Sequence, residues 1–126
     1  MGKLEVAFTN ETGVSLAEAP ITRSLELILQ RLEVVGTVSI EIAMVGDHTI
    51  QQLNAQYRGK DCPTDVLSFA AHELPKEITS TQSLGSLVIS VDTATRQAQE
   101  AHISVEQEVS TLAGHGLLHL LNYHHA

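Results

Sequence analysis

The sequence predicts an α+β fold: a single domain with a mixed four-stranded sheet, helices packed on it, and a metal site on the C-terminal helix. Three observations carry this. Apolar residues alternate with polar ones from Val38 to Met44, the period-two pattern of a half-buried strand. They recur every three or four residues near residue 21 and again beyond residue 105, the spacing of helices that bury one face. The segments run strand, helix, strand, helix, strand, strand, helix, helix, an order that suits helices laid on one shared sheet.

Each element has its own warrant. Leu4–Thr9 reads as a first strand. Pro20 opens a helix to about Val35, with Ile21, Leu25, Ile28, Leu29 and Leu32 as its inner stripe and Gly36 as its stop. In the second strand Val38, Ile40, Ile42 and Met44 share a face. Asp47 is placed to cap a helix through about Tyr57, with Ile50, Leu53 and Tyr57 inward. Arg58–Thr64 is a polar loop, and Val66–Phe69 a short strand. His72–Ser83 is polar and unpatterned, as a mobile loop is. Leu84–Val91 is apolar enough for a central strand, and Asp92 is placed to cap a helix from Thr93 to Ala101. Ser104 and Gln107 form a capping-box pattern that opens the last helix, through Val105, Val109, Leu112, Leu117 and Leu120. Asn122 follows; it tolerates the left-handed turn that ends a helix, so the chain is expected to reverse there.

At 126 residues, 43% of them hydrophobic, the chain is long and apolar enough to bury one core, and residues 1–126 read as one unit. No apolar run approaches the roughly 20 residues that cross a bilayer. Met1-Gly2-Lys3-Leu4-Glu5 has no apolar stretch behind it of the kind a secretory signal needs. Cys62 is the only cysteine, which excludes an internal disulfide and a Cys-rich metal site. These features suit the cytoplasm, with no membrane or disulfide partner. Fifteen acidic against seven basic side chains give a net charge of −8, so any RNA surface has to be a local positive patch.

Chemistry concentrates at the end of the chain. His115 and His119 are four apart, one helical turn on one face. Two imidazoles at that spacing can grip one metal ion, and a third histidine follows the expected helix end. Three protein ligands leave a tetrahedral zinc one open position, the layout of a catalytic site. An unpartnered imidazole in so apolar a helix also carries a desolvation cost that ligation would remove. Spacing leaves His124 and His125 both open as the third ligand, while His48, His72 and His102 read as ordinary surface or capping residues. Peptidases with this histidine spacing carry a general-base Glu directly after the first His; here that position is Gly116.

The run His115-Gly116-x-Leu118-His119-Leu120-x-x-Tyr123-x-His125 resembles the signature of the bacterial YbeY family, His-Gly-x-Leu-His-Leu-x-Gly-Tyr-Asp-His. A second segment is similar too: Leu53-Asn54, then Tyr57-Arg58-Gly59-Lys60-Asp61, then Thr64-Asp65-Val66-Leu67-Ser68-Phe69. Leu84-Gly85-x-Leu87-x-Ile89-Ser90 and Glu108 also fit, so the likeness runs from about residue 45 to the end.

The resemblance implies a single-strand-specific, metal-dependent endoribonuclease of 16S ribosomal RNA 3′-end maturation and ribosome quality control, with single-stranded rRNA and the small ribosomal subunit as partners. It implies one Zn2+ per chain held by His115, His119 and His125, with Arg58 as the catalytic cation in the same cleft; Lys60, two residues on, is placed to add a second positive charge on the substrate. Asn122 and His124 stand where the family has Gly and Asp, and family members continue past the third histidine, so this corner of the site is expected to be more exposed. Asp65 and Glu108 are candidate bases, each with an ordinary structural role available. Two other classes are weighed against the nuclease: a zinc hydrolase of peptides or other small substrates, which Gly116 disfavours, and a non-catalytic ribosome-associated factor with a structural metal.

Overall fold

The computed structural model describes residues 3–71 and 82–125, with side chains for all of these except Gln82 and residues 123–125. Its elements are β1 (Lys3–Asn10), α1 (Ala19–Arg31), β2 (Thr37–Val45), α2 (Asp47–Arg58), β3 (Val66–Ala70), β4 (Gln82–Ser90), α3 (Val91–Ala101) and α4 (Val105–His125). The order is the expected one. The strands form one mixed sheet, β1-β2-β4-β3, in which β1, β2 and β4 are parallel and β3 runs antiparallel at the edge. Of the polar stretch His72–Ser83, residues 72–81 lie outside the described residues, and Gln82 and Ser83 already belong to β4.

Strand alternation assigns the two faces of the sheet. Ile40, Ile42, Met44, Leu87 and Ile89 join the larger core, with Ile21, Leu25 and Leu29 of α1 and Val109, Leu117 and Leu120 of α4. Val45, Leu67, Phe69 and Val88 point the other way and pack with Ile50 of α2. The antiparallel edge strand therefore lies between α4 on one face and α2 on the other.

Helix ends depart from expectation in instructive ways. α1 stops at Arg31, not near Val35, and Leu32 is 51% exposed instead of inside. Glu33 takes a left-handed φ of 55°, and the amides of Glu33 and Val34 donate to the carbonyls of Gln30 and Leu29, which closes the helix while Val34 turns to the core. The caps of α2 and α3 come from other residues than expected. Asp47 does not cap its own helix and Asp92 does not cap α3. Asp92 accepts from the Asp47 amide at 2.8 Å, and Ser90 caps α3 by accepting from the Thr93 amide at 3.2 Å. The register explains this: Val45 pairs with Ser90, so two parallel strands end side by side and their helices start together. The Ser104–Gln107 capping box forms as expected, with both reciprocal bonds in place.

The reversal expected at Asn122 is not formed. α4 continues as helix to His125, and the only non-glycine residues with positive φ among those described are Glu33 and His102.

Candidate active site in the cleft beside the edge strand

Arg58 ends α2, and Gly59 closes the helix in a left-handed conformation with φ 72°. The Lys60 amide then bonds back to the Asn54 carbonyl at 3.2 Å, so the chain reverses sharply and Lys60 stays beside Arg58. Asn54 is 5% exposed, and its side-chain amide donates to the Cys62 carbonyl at 2.9 Å, tying down the loop that follows. Sequence reasoning gave Asn54 no role; its signal was a polar residue four after Ile50, on the buried face of the helix.

Contacts on several sides hold Arg58. Its guanidinium lies 4.8 Å from the centre of the Phe69 ring, donates to the Ser68 carbonyl at 2.7 Å, and donates to the Tyr57 carbonyl at 3.3 Å. A place over the ring face plus hydrogen bonds to two backbone carbonyls holds the guanidinium in one orientation. Tyr57 is not the inward residue its helical position suggested. It is 54% exposed and meets Phe69 edge to face, with centroids 5.4 Å apart and planes at 75°. β3 is the edge strand, so among the described residues no further strand covers the ring. Phe69 is in the core.

Across from Arg58, α4 presents His115 and His119. Both are exposed, so the desolvation argument for a metal does not hold; what they share is the cleft wall. That cleft holds about 500 Å³. Asn54, Arg58, Lys60 and Thr64 line one side, Ser68 and its β3 neighbours the floor, and His115, Gly116 and His119 the other side. Among the described residues no carboxylate lines it. The nearby acids are engaged elsewhere: Asp61 accepts from Gln51, and Asp65 accepts from the Val66 amide and Gln97. Glu108 sits two turns before His115, about 10 Å along the axis. Neither candidate base reaches the lining of the cleft.

The structure thus brings together Arg58, Lys60, His115 and His119. Two neutral imidazoles one turn apart fit two corners of a zinc site. Among the described residues no group of three metal-binding side chains occurs. The His125 side chain lies outside the described residues. Its backbone, ten residues beyond His115 on an unbroken helix, is about 15 Å farther along the axis and about 80° around it.

Gly116, where a peptidase has its base, is packed for another reason. A Cβ there would come within 2.6 Å of a Leu87 methyl, so the glycine lets α4 lie close on β4.

Known proteins resemble this chain over most of its length. The family model for endoribonuclease YbeY matches residues 6–126. Endoribonuclease YbeY of Lysinibacillus sphaericus is 41% identical over 97% of this chain and 83% of its own length. The Persephonella marina protein of the same name is 40% identical over 88% of this chain and 71% of its own. That of Myxococcus xanthus is 46% identical over 77% of this chain, a stretch that makes up 33% of the relative. The solution structure of a Thermotoga maritima protein superposes with a TM-score of 0.62 at 28% identity, covering 92% of this chain and 71% of that one. The chain belongs to the YbeY endoribonuclease family.

Proposed function

We propose that this protein is a single-strand-specific endoribonuclease that acts in 16S rRNA 3′-end maturation and ribosome quality control, in the cytoplasm and in association with the small ribosomal subunit. The observation that carries the reading is the cleft. On a chain of net charge −8, it gathers Arg58, Lys60 and two histidines, and no acid among the described residues lines it. A phosphodiester is the substrate such a surface attracts; an acidic body repels it elsewhere. The named activity of the family relatives supports the same substrate class.

In this reading His115 and His119 hold a metal, taken as one Zn2+ per chain, with His125 as the third donor that the family pattern implies, which requires the last turn of α4 to leave its helical path. A divalent ion held there would stabilise charge on a phosphoryl oxygen and acidify water. Arg58 does the positioning. Its planar fork, fixed against Phe69 and Ser68, offers donors to phosphate oxygens, and charge developing at phosphorus meets a cation that need not reorganise. Lys60 adds a point charge at the same wall, and the Thr64 hydroxyl is a neutral donor beside it.

The test pairs metal analysis with cleavage of single-stranded RNA. Arg58→Glu is expected to abolish cleavage while zinc content stays unchanged. His115→Ala is expected to lose both, and chelation to reproduce its cleavage defect. Cleavage that survives His115→Ala would remove the metal from the mechanism. Zinc retained at full stoichiometry in His125→Ala would move the third ligand elsewhere.

A further inference from the structure

We propose that the exposed ring of Tyr57 is a stacking platform for one unpaired nucleobase, placed beside the nucleotide whose phosphate Arg58 holds. The proposal rests on the endoribonuclease reading and extends it to how the strand is gripped. The chain has two Tyr, two Phe and no Trp, so large aromatic surface is scarce. Phe69 is spent in the core at 7% exposure, yet Tyr57 leaves 54% of its surface open. It is not a loose side chain, because its edge-to-face contact with Phe69 fixes the ring.

The same Phe69 carries the guanidinium of Arg58, and the Tyr57 carbonyl accepts from that guanidinium. Tyr57, Phe69 and Arg58 are therefore one packed unit at the end of α2. Gly59 then turns the chain away, so no further helical turn covers the ring. A strand whose phosphate meets Arg58 brings a neighbouring base to this surface. An unpaired base can give its face to an aromatic ring, whereas a base inside a duplex is already stacked on both sides. The platform thus supplies a physical reason for a single-strand preference.

Steady-state cleavage of a short oligouridylate tests this with the full chain. Tyr57→Phe is expected to keep the KM of the unsubstituted protein. Tyr57→Leu still covers Phe69 with apolar surface but has no flat ring, and its KM is expected to rise about 10-fold with kcat little changed. The penalty is expected to vanish on an oligonucleotide carrying an abasic site at one particular position. Tyr57→Trp gives a direct readout, since the chain has no other tryptophan: its fluorescence is expected to quench as RNA binds. If the unsubstituted protein cuts the RNA but Tyr57→Leu and Tyr57→Phe share one KM, Tyr57 merely packs on Phe69 and the platform is wrong. If the unsubstituted protein does not cut the RNA at all, the endoribonuclease reading fails first and the platform falls with it.

Discussion

Single residues set the tolerances of this site. Gly85 is the tightest case. It has φ 133°, and a Cβ there would lie 2.1 Å from the Phe69 carbonyl oxygen and 3.0 Å from Ala70 and Ala71 backbone atoms. It sits where the β2–β4 register slips and β4 pairs with Ala70 of β3. Backbone, unlike the end of a leucine, cannot swing aside. Gly85→Ala is expected to destabilise the fold by about 2–4 kcal/mol, seen as a lower urea midpoint, and to disturb the strand segment that holds Arg58. Gly116 faces a softer neighbour in Leu87, so its replacement by Ala is the milder of the two. Arg58 shows the complementary point: a loop cation in the linear sequence becomes an oriented group because Phe69 and Ser68 hold it.

Between elements, the α2–α3 junction ties down the start of the helix that ends in Arg58. Asp47 accepts from Ser90 at 2.6 Å, from Thr93 at 2.7 Å and from Arg96 at 2.8 Å. Burial opposes ionisation of this carboxyl. The hydrogen bonds from Ser90, Thr93 and Arg96, with the Arg96 charge, outweigh it and hold the carboxyl below its ordinary value of 3.8. A carboxyl depressed in the folded state stabilises the fold fully above its unfolded pKa. That contribution is lost as pH falls through the lower, folded value. Asp47→Asn is therefore expected to lower stability near neutral pH and to flatten the loss of stability below about pH 4, measured by urea unfolding across that range. Asp92→Ala removes the acceptor of the first α2 amide and is expected to lower stability by about 1 kcal/mol, read as a lower urea midpoint.

At the scale of the whole molecule, an acidic body with a small cationic cleft makes a quantitative demand on RNA binding. Among the described residues, Arg58 and Lys60 are the Lys and Arg side chains that line it. Two neutralised phosphates on a single strand give a slope of about −1.4 in log affinity against log salt. That shallow slope is the expected result of a salt titration of oligonucleotide binding. A slope several-fold steeper would mean that the strand runs over a wider basic surface than this cleft.

Much of this protein is legible in its sequence. Alternation over residues 38–44, the stripe at 21, 25 and 29, and the Ser104–Gln107 box each depend on neighbours a few residues away. Such local physics survives in a linear string, so the element order and most of the inner faces can be read from it. So can the family motifs, which associate Arg58 with the histidines although 57 positions separate Arg58 from His115. What only the tertiary structure decided involves distant partners. The bond from the Asp47 amide to Asp92 arises from strand register across 45 residues. The exposure of Tyr57 follows from β3 being the edge strand, and the exposure of His115 and His119 from the way α4 lies along the cleft. At Asn122 a residue that permits a left-handed turn does not compel one, and the helix runs on. Local preference is worth about a kilocalorie per mole, and burial against the rest of the chain outweighs it wherever the two disagree.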